Sequence, residues 1–140
     1  MAAPTILTIA ATLAFPRLAE LYLRLGLEDI TVDSPRRALA AVKRRPPDFI
    51  LAEFVYAWGN NYASCHIGNL DSLLAGLPKY APQARVIVLA DKSEMEHAQR
   101  LGELYPLHGI AALPVAEQDI EVLLRNAARC GMVHGDYRMD

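Results

Sequence analysis

Apolar and polar positions fall along the chain in two kinds of block. Residues 5–10 (TILTIA), 48–54 (DFILAEF), 85–90 (RVIVLA) and 109–113 (GIAAL) are apolar runs too short for an ordinary helix, so each predicts a buried strand. Residues 29–32 (DITV) predict a shorter one, and the last strand is expected to begin near His108. Between them the period changes. Leu18, Leu21, Tyr22 and Leu25 form the stripe of an amphipathic helix over residues 15–25, with Gly26 suited to its end. Ser34 and Pro35 predict the cap and first position of a second helix, which runs to Arg45 and stops before Pro46-Pro47. A short helix is predicted over residues 70–77. Ser93 and Glu96 match a capping box that opens a helix reaching Leu104. The last helix, 117–129, carries Ile120, Leu123, Leu124 and Ala127 on one stripe. Its acids (Glu117, Asp119, Glu121) stand early and Arg125 and Arg129 late, as the helix dipole favours.

Five strands alternating with five helices predict an α/β fold: a doubly wound, flavodoxin-like parallel sheet in the order 2-1-3-4-5, with helices on both faces. Any site is then expected at the carboxyl ends of strands 1 and 3. The run 48–54 suits the sheet centre, where both faces are covered. No internal repeat or low-complexity segment interrupts the pattern. Residues 55–69 do: they hold Tyr56, Trp58, Tyr62, three Asn and two Gly, and exceed an ordinary βα connection of about 2–6 residues.

Composition narrows the class. The 140 residues suit one domain, taken as residues 1–130, with 131–140 as a flexible tail. With 53% hydrophobic and 21% charged residues, general disorder is excluded. A formal net charge of −2 gives no electrostatic case for a nucleic-acid partner. Cys65 and Cys130 are too few and too distant for a disulfide scaffold, and free thiols suggest a reducing, cytoplasmic setting. The apolar stretch 2–15 lacks the preceding Lys or Arg of a signal peptide and is too short to span a bilayer, so no membrane partner is expected.

Three segments carry a family resemblance. Pro47-Asp48-Phe49-Ile50-Leu51-Ala52-Glu53 resembles the strand-3 run of response-regulator receiver (CheY-like) domains, Val86-Ile87-Val88-Leu89-Ala90 resembles their strand 4, and residues 109–114 with the acidic helix start behind them resemble strand 5 and its Lys-Pro turn. The resemblance spans residues 5–129. It implies a signalling domain whose strand-3 Asp accepts a phosphoryl group beside Mg²⁺ held by an acidic pair, with a Thr or Ser ending strand 4 and a Lys ending strand 5. Here the acidic pair falls on Ala10 and Ala11, the acceptor on Glu53, the hydroxyl on Ala90, the Lys on Leu113, and the strand-5 aromatic on Ile110. A shift of one residue brings Thr12 or Asp91 into play but restores no Lys, because none follows Lys92. The resemblance therefore implies an atypical, pseudo-receiver domain, with neither Mg²⁺ nor another cofactor and no catalysis. The family's cis peptide bond is expected at Leu113-Pro114, where X-Pro reduces the cost of cis to about 0.5–1 kcal/mol.

Glu53 has two readings: a built-in mimic of the phosphorylated Asp, or a leftover residue solvated in a shallow pocket at a strand end. The second is favoured, because a mimic needs the missing Thr and Lys to read it. Tyr56, Trp58 and Tyr62 are candidate partner contacts, or else plug the end of the sheet. Cys65-His66 is read as an ordinary loop pair, and His97, His108 and His134 as scattered. Arg36, Arg37, Lys43 and Arg44 are read as the solvated face of the second helix, opposite Ala38, Leu39 and Val42. The function expected is phosphorylation-independent signalling through protein–protein contact. The alternative is a small-ligand or flavin-binding flavodoxin-like protein, weakened by a loop (residues 10–14) with one hydroxyl and no Gly for a phosphate. An architectural homodimer is a third possibility.

Overall fold

The computed structural model describes residues 4–56 and 68–132. Five parallel strands, β1 (Thr5–Ile9), β2 (Glu28–Val32), β3 (Phe49–Glu53), β4 (Arg85–Asp91) and β5 (Gly109–Leu113), form one sheet in the order β2-β1-β3-β4-β5. The expected topology is thus present. Five α-helices connect and follow them: α1 (Ala19–Leu25), α2 (Pro35–Arg44), α3 (Asp71–Tyr80), α4 (Met95–Leu104) and α5 (Glu117–Met132).

The strand pleat sorts the core into two layers. Leu7, Ile9, Ile50, Val86 and Val88 face α2, α3 and α4, whereas Ile6, Leu51, Ile87 and Leu89 face α1 and α5. Every residue of β1 and β3 is buried, as a strand covered on both sides requires. Arg24 ties the helices of the second layer, reaching from α1 to Glu117 (2.8 Å) and Glu121 (3.0 Å) of α5.

Helix ends show where local signals held and where they were overridden. Ser34 caps α2 by accepting the Arg37 N–H, and Gly26 closes α1 in the left-handed region (φ 74°). The expected start of α1 at Phe15 is corrected to Ala19. The residue before a proline is disfavoured in the α region, and Phe15 precedes Pro16. The capping box at Ser93 does not form. Residues Lys92–Glu94 make a single 3₁₀ turn capped by Asp91, which accepts both the N–H and the hydroxyl of Ser93, and α4 starts only at Met95. Those two bonds hold the Asp91 carboxyl below its usual range. α3 runs past its expected end at Leu77 to Tyr80, with Pro78 inside its last turn. α5 likewise continues past Arg129 to Met132, and residues 133–140 of the expected tail lie outside the described residues.

His108, the residue before β5, is bonded to β4. Its Nδ1 accepts the Val86 N–H (3.1 Å), which requires the neutral ring. Partial burial, and then the Arg85 charge, lower its pKa from the ordinary 6.5. The unfolded chain therefore binds this proton more readily than the folded one. The stabilisation is complete above pH 6.5 and is lost as pH falls from there through the lowered folded value. Melting temperatures measured from about pH 8 to about pH 5 should show this decline, and His108→Gln should flatten it.

Candidate functional site

The carboxyl ends of β1, β3, β4 and β5 lie side by side, so the five positions singled out in the sequence converge at one end of the sheet. Ala10 and Ala11 follow β1, Glu53 closes β3, Ala90 sits one residue before the end of β4, and Leu113 ends β5. Ala90 and Leu113 are buried at 0% and 4% exposure and belong to the two apolar layers, one on each face of the sheet. Ile110 is half-buried against the first layer. The Leu113-Pro114 bond is cis.

Glu53 departs from its expected surroundings. It is only 3% exposed, which excludes a leftover side chain solvated in a shallow pocket. Its Oε1 accepts the backbone N–H groups of Ala11 (2.9 Å) and Thr12 (2.8 Å), and its Oε2 accepts the Thr12 hydroxyl. The same hydroxyl oxygen accepts the Ala14 N–H (3.1 Å), so one threonine binds both the carboxylate and its own turn. The β1–α1 loop thus folds over the end of β3 and is held by a carboxylate from below. Two consecutive N–H groups and a hydroxyl make a small anion-binding concavity, and the chain fills it with its own side chain. The sequence signal was Thr12, which the register shift had placed in reach of the site. Its pairing with Glu53 lies 41 residues away and no local pattern encodes it.

This donor set does not suit Mg²⁺, which takes carboxylate and water oxygens in an octahedron. Ala10 and Ala11 supply no side-chain oxygen, and both Glu53 oxygens are engaged by donors. Among the described residues no group of three or more His, Cys, Asp or Glu is placed to hold a metal ion. No described helix is long and apolar enough to cross a membrane.

After Glu53 the chain is pinned as it leaves the sheet. Asn69 accepts the Val55 N–H at its side-chain oxygen (2.7 Å) and donates from Nδ2 to the Glu53 carbonyl (3.0 Å). Tyr56 and Gly68 form an isolated antiparallel bridge, and Asp71 accepts the Gly68 N–H (2.7 Å). The Tyr56 N–H donates to Glu94 (3.0 Å), and its ring stacks on His97 with centroids 3.6 Å apart. Of the three aromatic candidates, Tyr56 is therefore folded back on α4. Trp58, Tyr62, Cys65 and His66 lie outside the described residues, as does His134. Arg36, Arg37, Lys43 and Arg44 are exposed on α2, as a solvated face should be.

A second polar group lies on the α1 side. The Tyr22 hydroxyl is 3.0 Å from Thr8 Oγ1, and Thr8 donates to Asp29 (3.2 Å), so the one remaining arrangement has the phenol donating to Thr8. Burial, and to a lesser degree the Asp29 charge, raise the Tyr22 pKa well above its ordinary value, so the phenol stays protonated.

No family model and no curated protein matches the sequence. Solved structures do match in fold. A response regulator receiver domain protein from Clostridium thermocellum is similar with a TM-score of 0.67 at 18% identity, over 90% of this chain and 94% of that one. The signal receiver domain of an HD domain-containing protein from Pseudomonas fluorescens gives 0.72 at 17%, over 92% and 97%. A Vibrio cholerae chemotaxis protein, CheY4, gives 0.69 at 15%, over 90% and 99%. The chain has the fold of receiver domains across nearly its whole length.

Proposed function

We propose that this chain is a receiver-like signalling domain that works without phosphorylation, through contact with a protein partner. The observation that carries the reading is the Glu53 carboxylate, buried at the acceptor position and held by three donors of the β1–α1 loop. Phosphoryl transfer needs a free nucleophilic oxygen and positive charge to stabilise the transferred group. Here the oxygens are engaged, and alanine and leucine stand at the hydroxyl and lysine positions. Glu53 holds the loop in one state, so the domain presents a constant surface rather than a switched one. The segment 55–69 leaves the carboxyl end of β3, where this fold class places its contacts, and Trp58 and Tyr62 are the side chains proposed to meet the partner.

Incubation with acetyl phosphate and Mg²⁺, followed by intact-mass measurement, tests the reading. The expected result is no added phosphoryl group for the natural chain, and none for Glu53→Asp, since the hydroxyl and the lysine remain missing. Stoichiometric incorporation into the natural chain would refute the proposal.

A further inference from the structure

A recess beside Asp29, with Asp29, Thr31 and Arg17 exposed on its rim, has no part in the receiver-like reading. It has a volume of about 420 Å³ and lies between the β1–α1 loop, α1 and the edge strand β2. That is within the range of about 300–1,000 Å³ common to small-molecule clefts. Its two walls differ in chemistry. One is polar: the Tyr22 hydroxyl donates to Thr8, Thr8 to Asp29, and Thr31 to both Asp29 oxygens (3.0 and 2.9 Å). The register places Thr8 opposite Thr31, so the two hydroxyls emerge on the same side of the sheet. The other wall is apolar, formed by Phe15, Leu18 and Leu13, whose side chain is wholly exposed (103%).

Two opposite charges line this recess. Asp29 has only hydroxyl partners, and Arg17, also in the lining, has no hydrogen-bond or ion-pair partner among the described residues. They do not pair with each other, although other charges on this chain do so readily, as Arg45 and Glu28 do at 2.9 Å. A carboxylate ringed by hydroxyl oxygens is a receptor for an ammonium group, whose three donors need several acceptors. A free guanidinium is the complementary receptor for a carboxylate. The central strand β1 carries Thr8, and α1 carries Tyr22 rather than an aliphatic residue, at positions that are otherwise core. A chain of hydroxyls directed at a carboxylate gives those two residues a common purpose.

We propose that the recess binds a small zwitterion of the α-amino-acid type, with its ammonium on Asp29, its carboxylate on Arg17 and an apolar side chain against Leu13 and Phe15. The recess shares Thr12 with the Glu53 latch, whose other partners lie outside it, and the proposal does not rest on the partner-binding reading.

The test is an amide-resolved NMR titration of the full chain with L-leucine, isopentylamine and 4-methylpentanoate, the last two lacking the carboxylate and the ammonium respectively. Leucine should shift the amides of Thr8, Arg17, Tyr22 and Thr31 saturably, with binding in the millimolar range or tighter. Each single-charge analogue should bind at least about tenfold more weakly, a loss of about 1.4 kcal/mol. Asp29→Asn, which keeps an acceptor for the threonines, and Arg17→Ala should each weaken leucine binding by about tenfold or more. Arg17 is exposed, so that variant keeps the test valid even if Asp29→Asn perturbs the strand. No saturable shift with leucine, or equal binding of the amine alone, would overturn the proposal.

Discussion

Glu53→Ala is expected to lower the unfolding free energy by about 2–4 kcal/mol and to release the β1–α1 loop. Hydrogen bonds to a charged group contribute about 1.5–3 kcal/mol each, and Glu53 accepts three. The full sum is not lost, for two reasons. Ala11 and Thr12 are exposed, so water can replace the carboxylate at their N–H groups, and removing a buried charge also removes its desolvation cost. Glu53→Gln separates charge from shape. Its amide oxygen can still accept the two N–H groups, and its amide nitrogen can donate to the Thr12 oxygen, so about half the loss should return. Urea unfolding measures the energies, and amide exchange at residues 11–14 reads the loop. If the alanine variant unfolds at the same urea concentration as the natural chain, Glu53 contributes nothing to stability and is no latch.

Gly68→Ala should cost about 1–3 kcal/mol by overpacking, although it adds a single methyl group. A Cβ at Gly68 would stand 2.4 Å from the Val55 carbonyl oxygen and 2.6 Å from the Phe54 ring. Neither neighbour can yield easily. Val55 is tied to Asn69 by two backbone-linked bonds, and Phe54 is 2% exposed in the core. The bridge from Tyr56 to Gly68 would have to open. Gly76→Ala is the control with the opposite sign. There the added carbon makes ordinary contacts with the end of the Leu39 side chain at 3.4 Å and the Tyr80 ring at 3.6 Å, and an alanine within α3 should gain about 0.5–1 kcal/mol over glycine. Thermal melts of the two variants should therefore move in opposite directions. A Gly68→Ala melt equal to the natural one would show that the neck is looser than its contacts imply.

Those two sites differ in how far the amino-acid sequence revealed them. The strands were legible because burial on both sheet faces demands uninterrupted apolar runs, and Phe49–Glu53 and Arg85–Asp91 have them. The α2 start was legible because Ser34 and Pro35 act on their own neighbours. Errors arose where a local signal met a nearby competitor. Ser93 has a stronger partner two residues back in Asp91 than in the helix ahead of it, and Pro78, in the last turn of α3, costs that helix one bond while the turn still closes through the Ala81 N–H on Leu77 (2.7 Å). The Glu53 latch was least legible. A lone acid at a strand end looks solvated unless its partners are known, and these lie more than 40 residues earlier in the chain, in the loop that follows β1. The identities of Ala10, Ala11, Ala90 and Leu113, by contrast, needed no geometry to be read.

The pinned neck also bears on what this fold can tolerate during evolution. Tyr56 and Gly68 are bridged, and Asn69 binds both Val55 and the Glu53 carbonyl, so the two ends of the excursion are already joined before residues 57–67 begin. The entropy of closing that excursion grows only with the logarithm of its length, about 0.6 kcal/mol for each doubling. Insertions or wholesale replacement between the bridged residues would therefore leave the sheet and its core nearly as stable as before. The neck would serve as a graft point, where the intervening sequence can change while the scaffold beneath it stays unchanged.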